Sequence, residues 1–419
     1  MSSKISPSVK LKKPSQARFR LDGSFLDYYL PLLGIFQYYV FGSVGSYGSI
    51  ILYAYGAVHI VLTVGRKDIY VHKGLLLFVL YALISQPIIF DQYGGWNSSR
   101  FFNYATVAYI FLLLVFFSNR LNLGVFYRNY AIVASVASIA IVVQAFQLYI
   151  LNQPVSGIAL LPCDTSSWYD GGNRPCGLFP EPSVYAYYML PVLFLALQRK
   201  HVRTALLFSA CIVISTSTLG ILCCALLWFW YLLIQIKDVR KCAIYCVALV
   251  LAAGVLFETQ IAGIAFEKIV TTDYMNSPRL TRGWFIFLNL DFWEQLFGIG
   301  FNNLQYYIDS GRVMLTDYAS SVVSFENRAY VTSVYQVLIG YGVIGFLLYF
   351  VPFVRQLLKE RGSRILLVLF LALSLAQTMF FSMNFLLWMI PLFNLLDKDS
   401  SDSFIKIPAL KRFRTCRQP

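Results

Sequence analysis

Residues 204–236 read TALLFSACIVISTSTLGILCCALLWFWYLLIQI, a run with no charged side chain that is too long for one membrane crossing. A helix crosses a hydrocarbon core in about 20 apolar residues. The polar run Ser215-Thr216-Ser217-Thr218 in the middle therefore predicts two short helices meeting there. One long helix, its Ser and Thr hydroxyls bonded back to the preceding turn, is the alternative that the sequence leaves open.

Outward from this stretch, similar runs recur along the chain. They predict membrane helices near 25–42, 47–65, 74–90, 101–118, 130–151, 183–198, 204–217, 219–236, 242–258, 330–350, 364–381 and 384–396. Composition agrees with this count: 58% of the 419 residues are hydrophobic and 13% charged, against about 25% charged in a soluble domain. Mean hydropathy is +0.63. The expectation is an all-α integral membrane protein of about 12 transmembrane helices. Disordered chains, disulfide scaffolds and nucleic-acid modules are excluded, and no nucleic-acid partner is expected. Matching broken helices in two halves, expected of many transporters, are absent. So are the alternating runs of an outer-membrane barrel.

The net charge of +14 reports topology first, because Lys and Arg concentrate on the cytoplasmic side of a membrane. With these spans, 27 of the 34 Lys and Arg fall on the side holding both termini, so both termini are expected to be cytoplasmic. The organisation is then a basic tail (1–24), N-terminal membrane helices (25–151) and a first periplasmic loop (152–182). Central membrane helices (183–258), a second periplasmic loop (259–329), C-terminal membrane helices (330–396) and a cytoplasmic tail (397–419) follow. The N-terminal segment is too polar for a cleaved signal. The basic tails, with Lys10, Lys12 and Lys13 at one end and Lys411, Arg412 and Arg414 at the other, read as anchors to anionic membrane lipids.

Loops this long in a compact membrane protein carry function or are disordered, and their Trp, Phe and Arg content argues against disorder. Cys163 and Cys176 are the only external cysteines; in an oxidising compartment they could close a disulfide or stay free. No Cys-x-x-Cys with a paired His is present, so no metal site is expected. The first loop ends Asn173-Arg174-Pro175-Cys176-Gly177-Leu178-Phe179-Pro180-Glu181-Pro182-Ser183. Its prolines bar a helix before Ser183. Ser183 suits an N-cap, with Glu181 favouring the positive helix end. No structural need of that turn accounts for Arg174, whose guanidinium suits a phosphate.

The second loop carries Ser277-Pro278-Arg279-Leu280-Thr281-Arg282, then an aromatic run from Gly283 to Phe297 with Asp291 and Glu294, read as an interfacial helix. Gly298-Ile299-Gly300 ends it and is no nucleotide loop, since neither strand nor Lys-Ser/Thr flanks it. Phe325-Glu326-Asn327-Arg328 stands at the mouth of the next span, as an exposed helix start or as a base with its neighbours. Trp168, Tyr169 and Trp284 could anchor at the interface or stack on sugar faces.

In order and on one side of the membrane, these segments resemble the Wzy-type O-antigen polymerases and their relatives, the O-antigen ligases. The resemblance is carried by Arg174 with Gly-Leu-Phe-Pro-Glu-Pro-Ser, the Ser-Thr-Ser run, Ser-Pro-Arg279, Phe-Gly-Ile-Gly with Asn302, and Glu326-Asn327 leading into Gly340-Tyr341-Gly342-Val343-Ile344-Gly345. It covers roughly residues 130–350. It implies a C-type glycosyltransferase fold in a bacterial inner membrane, with a periplasmic active site and no cofactor or metal. The implied donor and acceptor are undecaprenyl-pyrophosphate-linked oligosaccharides, and a chain-length regulator is an implied partner.

On that basis Arg174, Arg279, Arg282 and Arg328 are expected to hold pyrophosphate. Glu326, or else Glu181, would be the base, and Trp168, Tyr169, Trp284 and Asn327 would contact sugar. Ligases of this superfamily carry a periplasmic His where this chain has Glu326. The histidines here are His59 in a span and His72 and His201 on the cytoplasmic side, which favours the polymerase. The ligase, transferring glycan to lipid A core, and a lipid-linked oligosaccharide flippase are the alternatives.

Overall fold

The computed structural model describes residues 28–41, 45–63, 68–92, 95, 97–166, 168–169, 172–235, 281–312, 330–359, 363–396, 398 and 403–408. The protein is mostly helical. In chain order come α1 (Leu30–Phe36), a short hairpin of β1 (Val40–Phe41) and β2 (Gly45–Ser46), α2 (Tyr47–Thr63), β3 (Ile69–His72), α3 (Lys73–Gln92), α4 (Ser98–Arg120) and α5 (Leu123–Tyr149). After the first loop follow α6 (Pro182–Gln198), α7 (Val202–Ile214) and α8 (Thr218–Gln235). The second loop holds α9 (Arg282–Leu288), α10 (Phe292–Phe297) and α11 (Leu304–Asp309). The chain closes with α12 (Ser333–Lys359), α13 (Arg364–Ala376), α14 (Met383–Leu395) and β4 (Phe404–Ile407). Among the described residues, four helices are long and apolar enough to cross a membrane: Lys73–Asp91, Arg100–Arg120, Leu123–Tyr149 and Ser333–Lys359. Six shorter apolar helices accompany them. The span expected at 242–258 lies outside the described residues.

The expected break at Ser215-Thr216-Ser217 is present. α7 stops at Ile214 and α8 starts at Thr218, with Thr216 in the left-handed region at φ 53. Differences from expectation are local. Among the described residues the first apolar run forms the short α1 and then turns into the β1–β2 hairpin, and the aromatic stretch of the second loop is two helices rather than one. The division at Asn289–Asp291 has a capping cause: Glu294 Oε2 accepts from the Asp291 N–H at 3.1 Å, a reciprocal contact that starts a new helix. Part of the C-terminal tail is also ordered, since β4 pairs antiparallel with β3 from Ile69↔Ile407 to His72↔Phe404. That pairing puts the α2–α3 connection and the tail at one end of the bundle, the strand end. The first loop, the described part of the second loop and the α13–α14 turn lie at the other, the loop end.

Burial sorts the helices into layers. α6 is buried almost from end to end and α14 from Met383 to Phe393, as expected of helices that are apolar all round. α5 instead exposes Ile132, Val136, Ile139, Val143 and Phe146, and α4 exposes Phe101 and Leu112. So broad an apolar girdle is what a bilayer covers.

The second loop is seated on α12 by paired glycines. Gly342 breaks α12 internally at φ 66, ψ −173. Across from it, Ile299 and Gly300 donate their N–H groups to the carbonyls of Ile339 and Gly340 at 2.9 and 3.0 Å. A Cβ on Gly298 (φ +87) would sit 2.4 Å from Gly340 O, and one on Gly342 2.3 Å from Leu296 O. Gly298→Ala and Gly342→Ala should each cost about 2–6 kcal/mol, combining backbone strain with overpacking. Gly311, at φ +70 but in open space, should cost only about 1–2 kcal/mol. Thermal unfolding midpoints in detergent test this; equal losses at all three would mean that the docking does not require the glycines.

Candidate functional site

At the loop end, the described residues of the first loop, 152–166, 168–169 and 172–182, fold into a strap. Val155 and Gly172 exchange backbone bonds at 3.0 and 3.1 Å, Gly157 donates to Tyr169 O, Tyr169 to Pro180 O and Ile158 to Gly177 O. One side chain from inside the bundle fastens it. Gln144, on α5 and 1% exposed, accepts from the N–H groups of Cys176 (2.9 Å) and Gly177 (2.7 Å) and donates to Ser156 O (2.7 Å). Tyr39 adds a second fastening, donating its hydroxyl to Ile158 O at 3.0 Å.

This strap delivers Arg174 and Glu181 to the same end of the bundle, where both act electrostatically on Cys176. Arg174 has a structural task that its place beside a rigid turn did not reveal. Its Nε donates to Thr216 Oγ1 at 3.0 Å and Nη2 to Thr216 O at 2.9 Å. It thereby clamps the strained residue between α7 and α8. Glu181, not Ser183, occupies the N-cap position of α6, because Pro182 suits the first helical turn. Ser183 instead donates its hydroxyl to Glu181 Oε2 at 2.9 Å.

Beneath Glu181 lies a polar knot. The hydroxyls of Tyr38 and Tyr187 are hydrogen-bonded, and Asn384 Nδ2 donates to Tyr38 and, at 3.1 Å, to Tyr187. Among the described residues no donor reaches the buried Asn384 Oδ1. Glu181 is near enough for its charge to act on both tyrosines, and Tyr330 on Tyr187. The knot therefore joins the end of α1 and the starts of α6 and α14 to the segment leading into α12.

Of the other predicted residues that are described, Trp168 and Tyr169 lie on the same strap and Arg282 and Trp284 on the second loop. Arg282 opens α9 and is 5% exposed; burial pulls its guanidinium below the usual range. It opens the helix that the second loop packs against α12, where the next residue, Gly283, lies against Tyr335. Trp168 is buried edge-on to Tyr39 at 5.2 Å and covers Gly157, which gives its ring a packing partner. Tyr169 exchanges bonds with Asn173 through its hydroxyl, both at 3.2 Å. Trp284 is half-exposed in a row with Phe285, Leu288, Phe292 and Trp293, the surface an interfacial segment presents to lipid. Arg279, Glu326, Asn327 and Arg328 lie outside the described residues. Cys163 and Cys176 are free thiols rather than a disulfide.

Gln144, Tyr38, Tyr187 and Asn384 went unread in the sequence. Gln144 had a signal, a primary amide among aliphatic residues of a span, since such a group is expensive unless bonded. The tyrosines had none, being spread through an aromatic-rich chain. No protein-family model matches the chain, and none of the curated proteins does.

Burial pushes the Cys176 thiol up to about 12 and that of Cys163 upward as well. At pH 8 maleimide should label the half-buried Cys163 and leave Cys176 untouched, with no reductant needed. Gln144→Leu strands the Cys176 and Gly177 amides, each worth about 1–3 kcal/mol. It should lower the unfolding midpoint and open Cys176 to labelling, as read by peptide mass mapping. Protection of Cys176 in that variant would show that Gln144 does not hold the strap.

Proposed function

We propose that the protein is a polysaccharide polymerase of the inner membrane. In this reading it has about 12 spans in a C-type glycosyltransferase fold, with both termini cytoplasmic and the loop end facing the periplasm. It transfers a growing glycan from undecaprenyl pyrophosphate onto one new lipid-linked repeat unit. The observation that carries the reading is that a fixed guanidinium, Arg174, and a carboxylate, Glu181, sit on one strap at the end of an apolar bundle. Ionisable groups set into an apolar bundle are expensive and are kept where they pair with, bind or react with something polar.

In the proposed reaction, an acceptor sugar hydroxyl attacks the donor's anomeric carbon. The bond from that carbon to phosphate oxygen breaks, and the electron pair leaves with the pyrophosphate. The hydroxyl proton passes to Glu326 or Glu181, and a single displacement inverts the anomeric configuration. Arg174 and Arg279, with Arg282 and Arg328 next in line, hold the departing diphosphate, a preorganised electrostatic contribution.

The test is incubation of the purified full chain with lipid-linked repeat units and separation of the products on a gel. A ladder of lengthened glycan is expected. Arg279→Ala should abolish it while expression stays normal. Glu326→Gln should slow chain lengthening by roughly 10²–10⁴-fold, the usual contribution of a general base; full activity there with loss in Glu181→Gln would move the base to Glu181. Transfer to lipid A core instead would make the protein a ligase, movement of unlengthened substrate across vesicles a flippase, and neither product nor movement would end the reading.

A further inference from the structure

A second feature of the loop end shares no residue with the Arg174–Glu181 strap. Between the second loop and α12 lies a pocket of about 210 Å³. Its polar lining is made of primary amides, Asn302, Gln305 and Gln336, set against the apolar walls of Leu304, Val331 and Ile339, and among the described residues no charged side chain lines it. Its floor is held by the backbone bonds from Ile299 and Gly300 to Ile339 and Gly340, with Gln86 Oε1 accepting from the Phe301 N–H at 2.7 Å. Gln336 has a buried amide oxygen that no donor reaches among the described residues.

We propose that this pocket binds one neutral sugar ring, and on the polymerase reading, on which this rests, that ring belongs to the repeat unit. Among the described residues no cationic side chain faces the space, so the lining favours a neutral ligand over an anion. The volume lies below the roughly 300–1,000 Å³ of a pocket for a drug-sized ligand and suits a single pyranose. A primary amide offers a donor and an acceptor side by side, which matches neighbouring sugar hydroxyls. The unmet acceptor on Gln336 is costly while empty and is satisfied by a ligand O–H or N–H. The aliphatic walls suit the C–H faces of the ring. The site therefore selects which repeat unit is accepted, while the charged strap handles the diphosphate.

Saturation-transfer NMR on the full chain in nanodiscs tests this, with the methyl glycosides of glucose, galactose, N-acetylglucosamine and rhamnose as probes. At least one should give a signal that inorganic pyrophosphate does not displace and that falls at least tenfold in both Gln336→Leu and Gln305→Leu. Circular dichroism on each variant checks its fold. No signal from any probe, a signal unchanged in either folded variant, or one displaced by pyrophosphate overturns the proposal. The glycan ladder is run on the same preparations. A ladder without glycoside binding removes the sugar site and keeps the polymerase. Binding without a ladder keeps a sugar site and removes the polymerase.

Discussion

An apolar bundle cannot leave a helix broken in its interior, because every N–H and C=O freed by the break is costly until something bonds it. This protein interrupts buried helical structure at several points near the loop end, and each interruption is closed by a residue far away in sequence. Arg174 takes the carbonyl and hydroxyl of Thr216 between α7 and α8. At the Gly342 break, Ile299 and Gly300 bond the carbonyls of Ile339 and Gly340, and the Tyr81 hydroxyl donates to Tyr341 O at 3.0 Å. At the α13–α14 turn, Ser333 Oγ donates to Gln377 O at 2.8 Å and accepts from the Phe380 N–H at 3.1 Å.

This obligation explains how the described parts of the loops are held with no disulfide among the described residues. A loop whose backbone completes a broken helix is fixed by the same bonds that keep the helix stable. The reverse also holds, since α12 could not hold Gly342 in a non-helical conformation without the second loop lying across it. Buried amides act as the rivets. Gln144 serves the first loop and Gln86 the second, and each supplies acceptor and donor from one side chain. Arg100 extends the same logic: it is 6% exposed, bonded to Asn303 Oδ1 at 2.8 Å, and 5.0 Å from the Tyr306 ring centroid. It ties the start of α4 to the second loop.

Helix positions were legible in the sequence because apolar length alone sets them. The expected helix at 183–198 is Pro182–Gln198, and that at 384–396 is Met383–Leu395. The Ser-Thr-Ser break was legible for the same reason, as too much apolar length interrupted by hydroxyls. What could not be read were pairings. Nothing local in Arg174 announces Thr216, 42 residues away, and nothing in Gly298 announces Gly340. The hydropathy pattern likewise ran through the β1–β2 hairpin, where Val40 and Phe41 are apolar enough to extend a helix but pair as a strand. The candidate site was half legible. Arg174 and Glu181 stood out as charges at a membrane boundary, but the Tyr38–Tyr187–Asn384 knot below them is built from residue types common throughout the chain.

Arg174 shows how such economy shapes a site. Two of its guanidinium donors are committed to Thr216, so the side chain cannot swing, and any anion it meets is met from a fixed direction. Fixing a long cation ordinarily costs side-chain entropy at the moment of binding; here folding has already spent it to close the α7–α8 break. The same economy ties activity to stability, because removing the guanidinium also uncovers a buried carbonyl on a residue held in the left-handed region. Loss of function at Arg174 therefore carries weight for chemistry only beside a substitution that keeps the clamp. Under the proposed reaction Arg279, at the other loop, is the cleaner reporter of the diphosphate, and Arg174 the residue through which the fold and the site depend on each other.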